Sequence, residues 1–319
     1  MFTYKSYVKI LSVILLSIVI GSFIYIYFYS KMYPIPLFHR ISLDAKMKFV
    51  RDMKDRSHID TIIIGSSIGL NNIQGIVLEN ASKKVKHVLN LSALGLTTTQ
   101  IQQLSKLFYL FPNTKRVIYS AQFEDTSGTF LFGENEVEFS KKYILLGKET
   151  IDFTYSMYTF KHLIEFIKNH WKWEKKYANN KTNHGLLFDY TGSVPLDMFG
   201  DNINHKMYDT PPLDTKLYKE NFSALNIMSQ NLKSKNIQFY FVAEPYRQHM
   251  IDTYENIRMA REEFIKKTKQ VTLSNGGKFI DLHQKLDLGD EYFADREHLN
   301  SKGSKLTAEE VAKFIDSHE

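Results

Sequence analysis

The sequence predicts an α/β fold: a three-layer sandwich around a five-stranded parallel, flavodoxin-like sheet, preceded by one N-terminal transmembrane helix. Three observations carry this reading. Five short apolar runs are continuous rather than alternating, as strands covered on both faces are. Helical patterns separate several of these runs, the rhythm of a parallel sheet. A charge-free apolar stretch, residues 10–29, stands ahead of them all.

That stretch reads ILSVILLSIVIGSFIYIYFY. As a helix it would rise about 30 Å, the thickness of a hydrocarbon core. Tyr25, Tyr27 and Tyr29 gather at one end, where tyrosine suits a membrane interface. The stretch runs on into SKM without the small residues of a signal-peptide cleavage site, so an uncleaved anchor is expected. Lys5 and Lys9 precede it and favour a cytoplasmic amino terminus, weakly opposed by Lys31 and Arg40 beyond it. Residues 1–31 are therefore expected to form a cytoplasmic tip and a single-pass anchor in the cytoplasmic (inner) membrane. Residues 32–319 are expected to form one α/β domain outside it.

The expected strands are IDTIIIG (59–65), KHVLNLS (86–92), KRVIYSA (115–121), NIQFYFVA (236–243) and GKFIDLH (277–283). Residues 97–111 place Ile101, Leu104, Phe108 and Phe111 on one helical stripe. Residues 217–235 and 252–271 repeat that pattern, and a last helical stretch follows residue 300. The connection from the third strand to the fourth breaks the rhythm. It runs from about residue 122 to 235, far beyond the roughly 30 residues of a βαβ unit. It holds Phe130, Phe132, Tyr155, Tyr158, Trp171, Trp173 and Phe188. We read it as a helical and loop insertion at about 125–215, whose aromatics suit either a cap over a site or plain packing onto the sheet.

Composition narrows the chemistry. The absence of cysteine excludes disulfides, zinc–cysteine sites, iron–sulfur clusters and cysteine nucleophiles. The net charge of +6 fits a lysine-rich surface, or attraction to anionic lipid or glycan. No dense basic helix, zinc spacing or RNA-binding aromatic signature points to nucleic acid. Neither a phosphate loop nor a dinucleotide fingerprint is present. The histidines do not pair at ligand spacing. No cofactor and no metal are expected.

In open α/β sheets, ligands bind beyond the carboxyl ends of the strands. Gly65-Ser66-Ser67 falls there after the first strand, NLSALG (90–95) after the second and AQFED (121–125) after the third. AEPYRQH (243–249) follows the fourth, and DREH (295–298) lies beyond the fifth. A serine hydroxyl becomes a strong nucleophile only when a base takes its proton. Imidazole has the pKa for that task, and a nearby carboxylate can hold its tautomer. The spacing of Asp295 and His298 lets one loop carry both.

IIIGSSIGLNNI, VLNLSALGLT and DREHLNSKG, in this order, resemble the blocks of the SGNH, or GDSL-like, hydrolase superfamily. The chain is most similar to its membrane-anchored bacterial branch, which handles acyl groups on cell-surface polymers. That branch includes alginate acetylation proteins and the serine proteins of teichoic-acid D-alanylation. The resemblance covers about residues 58–123 and 236–317. It implies Ser67 as nucleophile, with Ser66 standing where Asp is commoner. It implies His298 as base, Asp295 as its orienting acid, and the backbone N–H groups of Ser67 and Gly95 as oxyanion donors. The third block departs from the pattern: the usual Asn is missing, and Gln122 offers an amide instead.

The resemblance implies a membrane-anchored serine acyltransferase or esterase. Its substrates would be acyl groups, of the O-acetyl kind, on a surface polysaccharide or glycolipid, handled through an acyl-serine. The expected partners are membrane lipid, the glycan and a polytopic membrane acyltransferase. A second reading stays open: a non-catalytic SGNH-fold component of an envelope polysaccharide assembly.

Overall fold

The computed structural model describes residues 4–133, 135–178 and 188–318. Residues 134 and 179–187 of the expected insertion lie outside the described residues. In chain order the elements are α1 (Tyr4–Tyr29), α2 (Ile41–Asp52), β1 (Thr61–Gly65), α3 (Ser67–Asn72), α4 (Gly75–Ala81), β2 (Val88–Asn90), α5 (Thr98–Leu104) and β3 (Arg116–Ala121). Then come α6 (Glu136–Leu146), α7 (Phe153–Lys161), α8 (Leu163–Ala178), α9 (His205–Tyr208), α10 (Lys219–Ser234) and β4 (Gln238–Ala243). The chain closes with α11 (Gln248–Thr253), α12 (Glu255–Ser274), β5 (Lys278–Asp281), α13 (Leu282–Leu286) and α14 (Ser301–His318).

Two compact units result. One joins Met1–Met53 with Glu138–Gly185, and the other joins Lys54–Val137 with Leu186–Glu319. The boundary drawn at residue 31 from sequence falls inside the first unit.

The second unit is built on one sheet of order β2-β1-β3-β4-β5, and every pair is parallel. All five expected strands are present. Every residue of β1, β2 and β3 is buried. Successive side chains point to opposite faces of a sheet, so both faces are covered there, which is why these runs do not alternate. Ile63, Ile118, Tyr240, Val242 and Ile280 meet Val311, Ala312 and Ile315 of α14 in the core. Each fully buried aliphatic side chain stabilises by about 1.5–3 kcal/mol. α14 packs on α3 and α4, while α10 packs on α5 and α12. The helix expected over 97–111 is α-helical to Leu104 and continues as a 3-10 turn over Ser105–Leu110.

In the first unit, α1 is long and apolar enough to cross a membrane. Only its carboxyl-terminal end is packed, with Ile26 fully buried. Phe23 stacks on Phe160 of α7 at 5.0 Å. Tyr29 and Tyr33 both lie against His170 of α8, at 4.4 and 4.2 Å between ring centres. Arg51 of α2 fixes the turn between α6 and α7. Its guanidinium donates to the carbonyls of Gly147 (2.8 Å), Lys148 (2.7 Å) and Thr150 (3.0 Å), and it lies over the Tyr143 ring.

Candidate active site

The carboxyl end of β1 answers why a strand should stop on Gly-Ser-Ser. Gly65 is opposite Ser120 of β3, and a Cβ at Gly65 would lie 2.3 Å from the Ser120 carbonyl oxygen. Only glycine lets the two strands approach there. Ser66 is the N-cap of α3, its Oγ accepting from Ile68 N at 3.1 Å, as serine does at helix starts. The same hydroxyl lies near enough to the Asp125 carboxylate to favour its charged form. Ser66 is 2% exposed, so it is a fully engaged structural group. Ser67 opens α3 and is half-buried. Its hydroxyl bonds to no described residue. The two serines, equivalent on paper, are different groups in the fold.

The Asp295–His298 loop is held by its own acid. Asp295 Oδ1 accepts from Glu297 N at 3.0 Å and from His298 N at 2.8 Å. Its two carboxylate oxygens lie 3.0 and 2.9 Å from His298 Nδ1. With Nδ1–H donated to Asp295, Nε2 of a neutral His298 is the nitrogen left to take a proton. Burial opposes charge on His298, but the Asp295 carboxylate, then Glu297 and Glu124, raise its pKa to about 9. Burial also opposes the Asp295 charge, yet the His298 cation and the loop N–H groups hold its carboxyl below the ordinary range. Glu297 is pushed up by burial and by Glu124.

Asn72, which the sequence reading passed over, links the two motifs. It ends α3, the helix that Ser67 begins. Its Nδ2 donates to Glu297 O at 3.2 Å, and its Oδ1 accepts from Leu299 N at 2.9 Å. The amide therefore brackets His298 on both sides. The structure makes no hydrogen bond between Ser67 Oγ and His298, but it ties their two segments together.

Gln122 sits where β3 exits, buried. Its Nε2 donates to the carbonyls of Pro245 and Glu297. Both amide hydrogens are thus engaged in tying β3 and β4 to the histidine loop, and donation to an oxyanion would require breaking one of these bonds. Gly95 has φ +68 and open space where a Cβ would be, so its glycine is required by backbone conformation. β2, from which the Gly95 loop leaves, pairs with β1.

Further groups surround the loop. Asp125 accepts from Gln122 N at 2.9 Å, and burial raises its pKa to about 7 against the nearby Ser66 hydroxyl and the Gln122 N–H. Arg296 grips Glu124 with two nitrogens, at 3.1 and 2.8 Å, and Tyr246 OH donates to the same carboxylate at 2.8 Å. Part of the long β3–β4 connection belongs to this site. Val194 N donates to Leu70 O at 3.0 Å, and Asn71 Nδ2 donates to Val194 O at 2.7 Å. Ser193 Oγ accepts from Gly75 N and from Asn90 Nδ2, both at 3.1 Å. Val194 is therefore held on α3, and Ser193 on the start of α4 and the end of β2. Their turn is local, Asp189 Oδ1 accepting from Thr191 N and Ser193 N. The partners that Ser193 and Val194 find on α3, α4 and β2 lie more than a hundred positions away, so the sequence does not mark where the turn docks.

Two clusters among the described residues could hold a cation. Asp295, Glu297 and His298 offer ligand atoms within 4.8 Å of one another, as do His39, His162 and Glu165 in the first unit. In the first cluster His298 Nδ1 is bonded to Asp295. No family model matches the chain, and no curated protein matches it.

Proposed function

We propose that this chain is a membrane-anchored serine acyltransferase or esterase of the SGNH type, acting on acyl groups of a surface polysaccharide or glycolipid. One observation supports the reading most: Asp295 holds His298 by Nδ1 on a loop that Asn72 ties to the helix beginning at Ser67. A base held by its orienting acid is one half of a serine triad, and the Asn72 link supports Ser67 as the other.

Ser67 Oγ would attack an acyl carbonyl while its proton passes to His298 Nε2. Asp295 would stabilise the imidazolium. The oxyanion would be met by N–H groups of Ser67, at a helix start where such groups lack intrahelical partners, and of Gly95. His298 would return the proton to the leaving oxygen as the tetrahedral intermediate collapses to acyl-serine. A sugar hydroxyl or water would then attack, losing its proton to His298, which would pass it to the Ser67 oxygen as the acyl–oxygen bond breaks and the free serine returns. Val194, bonded to Leu70 and Asn71 of the helix that Ser67 begins, ties part of the long connection to this site, and an acceptor held there would favour transfer. A polytopic membrane acyltransferase would be a fitting acyl donor for a single-span chain.

The fold reading has its own support. With order β2-β1-β3-β4-β5 and right-handed crossovers, the β1–β2 connection falls on one face. The β2–β3, β3–β4 and β4–β5 connections fall on the other. The two groupings of packed helices, α14 with α3 and α4, α10 with α5 and α12, agree with such a three-layer sandwich. On this reading residues 1–31 anchor the chain in the cytoplasmic membrane with the remainder outside.

The second reading, a non-catalytic component of an envelope polysaccharide assembly, has two observations in its favour: the unbonded Ser67 hydroxyl and the engaged Gln122 amide. A fluorophosphonate probe separates the two. Labelling at Ser67, with acylated oligosaccharide formed from a small acyl ester, is the expected result. An unlabelled, correctly folded chain would leave the binding reading.

A further inference from the structure

We infer that α7 and α8 form a membrane-seated platform, with Ile164 and Trp171 in the headgroup–acyl boundary and Lys161, Lys168 and Lys172 on anionic phospholipid headgroups. The inference rests on the reading of α1 as a membrane span. The end of α1 that carries α7 and α8 sets their depth. Phe23 stacks on Phe160, Tyr25 packs edge-on to Phe166 at 5.9 Å, Tyr25 OH bonds to His170, and Tyr29 lies against His170. Phe23 to Tyr29 spans about 9 Å along a helix axis. That matches the roughly 5–10 Å to which interfacial amphipathic helices sink. A helix pair fastened to this part of a span cannot stand clear of the bilayer.

The face these helices turn outward has lipid chemistry. Ile164 is 72% exposed and Trp171 is 69% exposed, large apolar groups that no described residue covers. Ile164, Lys168 and Trp171 follow one another at helical spacing, so they share a face. Tryptophan prefers the headgroup level, and lysine stems lie along apolar surface while their ammonium groups reach outward. Lys161, Lys168 and Lys172 line an open groove of ≈ 660 Å³. Its one carboxylate, Glu165, is paired with His39 at 2.7 Å. Three cations beside exposed Ile and Trp, alongside a membrane span, complement an anionic lipid surface.

The test uses the full chain in lipid nanodiscs. Trp171 and Trp173 are the only tryptophans, and Trp173 is buried. Subtracting the emission of Trp171→Phe therefore isolates Trp171 without disturbing a packed ring. Acyl-chain-brominated lipids should quench the Trp171 signal about twofold, as for an indole at the headgroup–acyl boundary, and aqueous iodide should quench it weakly. Trp171 open to iodide and untouched by brominated lipid would overturn the inference. Protection from both quenchers would also overturn it, since a protein partner would then cover the face. For the headgroup part, wild-type nanodiscs should gain protection from iodide on replacing phosphatidylcholine with phosphatidylglycerol. The triple variant Lys161→Gln, Lys168→Gln, Lys172→Gln should lose that gain. Equal protection in both lipids would overturn the anionic preference. Carbonate extraction of native membranes separates the failures: release of the chain removes the span itself, whereas retention with an iodide-open Trp171 removes the platform alone.

Discussion

The histidine loop and the face of α8 both concentrate charge, and they treat it in opposite ways. Around His298 the charges are buried and bonded to one another: Asp295 to His298, Glu124 to Arg296 and Tyr246. On α8, Lys168 and Lys172 lie exposed beside Ile164 and Trp171. A buried charge costs free energy unless it is paired, so the loop can exist only as a fixed geometry. An exposed lysine costs almost nothing and holds no geometry; it is suited to a surface that is itself fluid. The difference teaches where substitutions should act through chemistry and where only through adhesion.

The largest expected effect breaks the loop's partner. Ser67→Ala should abolish fluorophosphonate labelling while changing stability by less than about 1 kcal/mol, since it removes only an unbonded hydroxyl. Ser66→Ala should do the reverse. It should keep labelling and lose about 1–2 kcal/mol in denaturant melts, because an N-cap disappears. Labelling that follows Ser66 instead would reverse the roles given to the two serines.

Next comes pH. His298 is raised from 6.5 to about 9, so it is mostly cationic at pH 7 and gains basic character as pH climbs. Labelling rate should therefore rise from pH 7 towards 9. Asp295→Asn removes the anion that favours the cation, so the midpoint should move to lower pH while the plateau falls about 10–100-fold. The same raised pKa bears on stability. Its contribution is fully present below about 6.5 and is lost as pH rises through about 9. Urea midpoints of wild type should fall across that window more than those of His298→Gln.

Asn72→Ala should come third. It leaves Leu299 N–H without its partner and Glu297 C=O with Gln122 Nε2 alone, a cost of about 1–3 kcal/mol. Loosening the link between Ser67 and His298 should also slow labelling about tenfold. A slow label at unchanged stability would sharpen the comparison further, by showing that the amide positions more than it holds. The smallest effect belongs to the other region. Trp171→Ala should leave labelling unchanged and stability within about 0.5 kcal/mol, since an exposed side chain leaves no cavity.

The sequence by itself determined the five parallel strands, the long helices after them and the apolar amino-terminal helix. Those signals are local: an apolar run, a helical stripe and a charge-free span each lie within some twenty residues. It also singled out Gly65-Ser66-Ser67 and Asp295–His298, because their places at strand ends follow from the strand positions. Only the tertiary structure decided which serine is free. Ser66 is buried and taken up by Ile68 N, and Asp125 comes near it only after β3 has paired with β1. Only the tertiary structure engaged Gln122 with Pro245 and Glu297, placed Asn72 around His298, and brought Val194 onto α3. It likewise grouped residues 138–185 with the amino-terminal helix, through ring contacts such as Phe23 on Phe160. Each of these partnerships joins residues far apart in the chain. A hydrogen bond or a ring contact is set by where two backbones come to lie, and no residue's own identity carries that information.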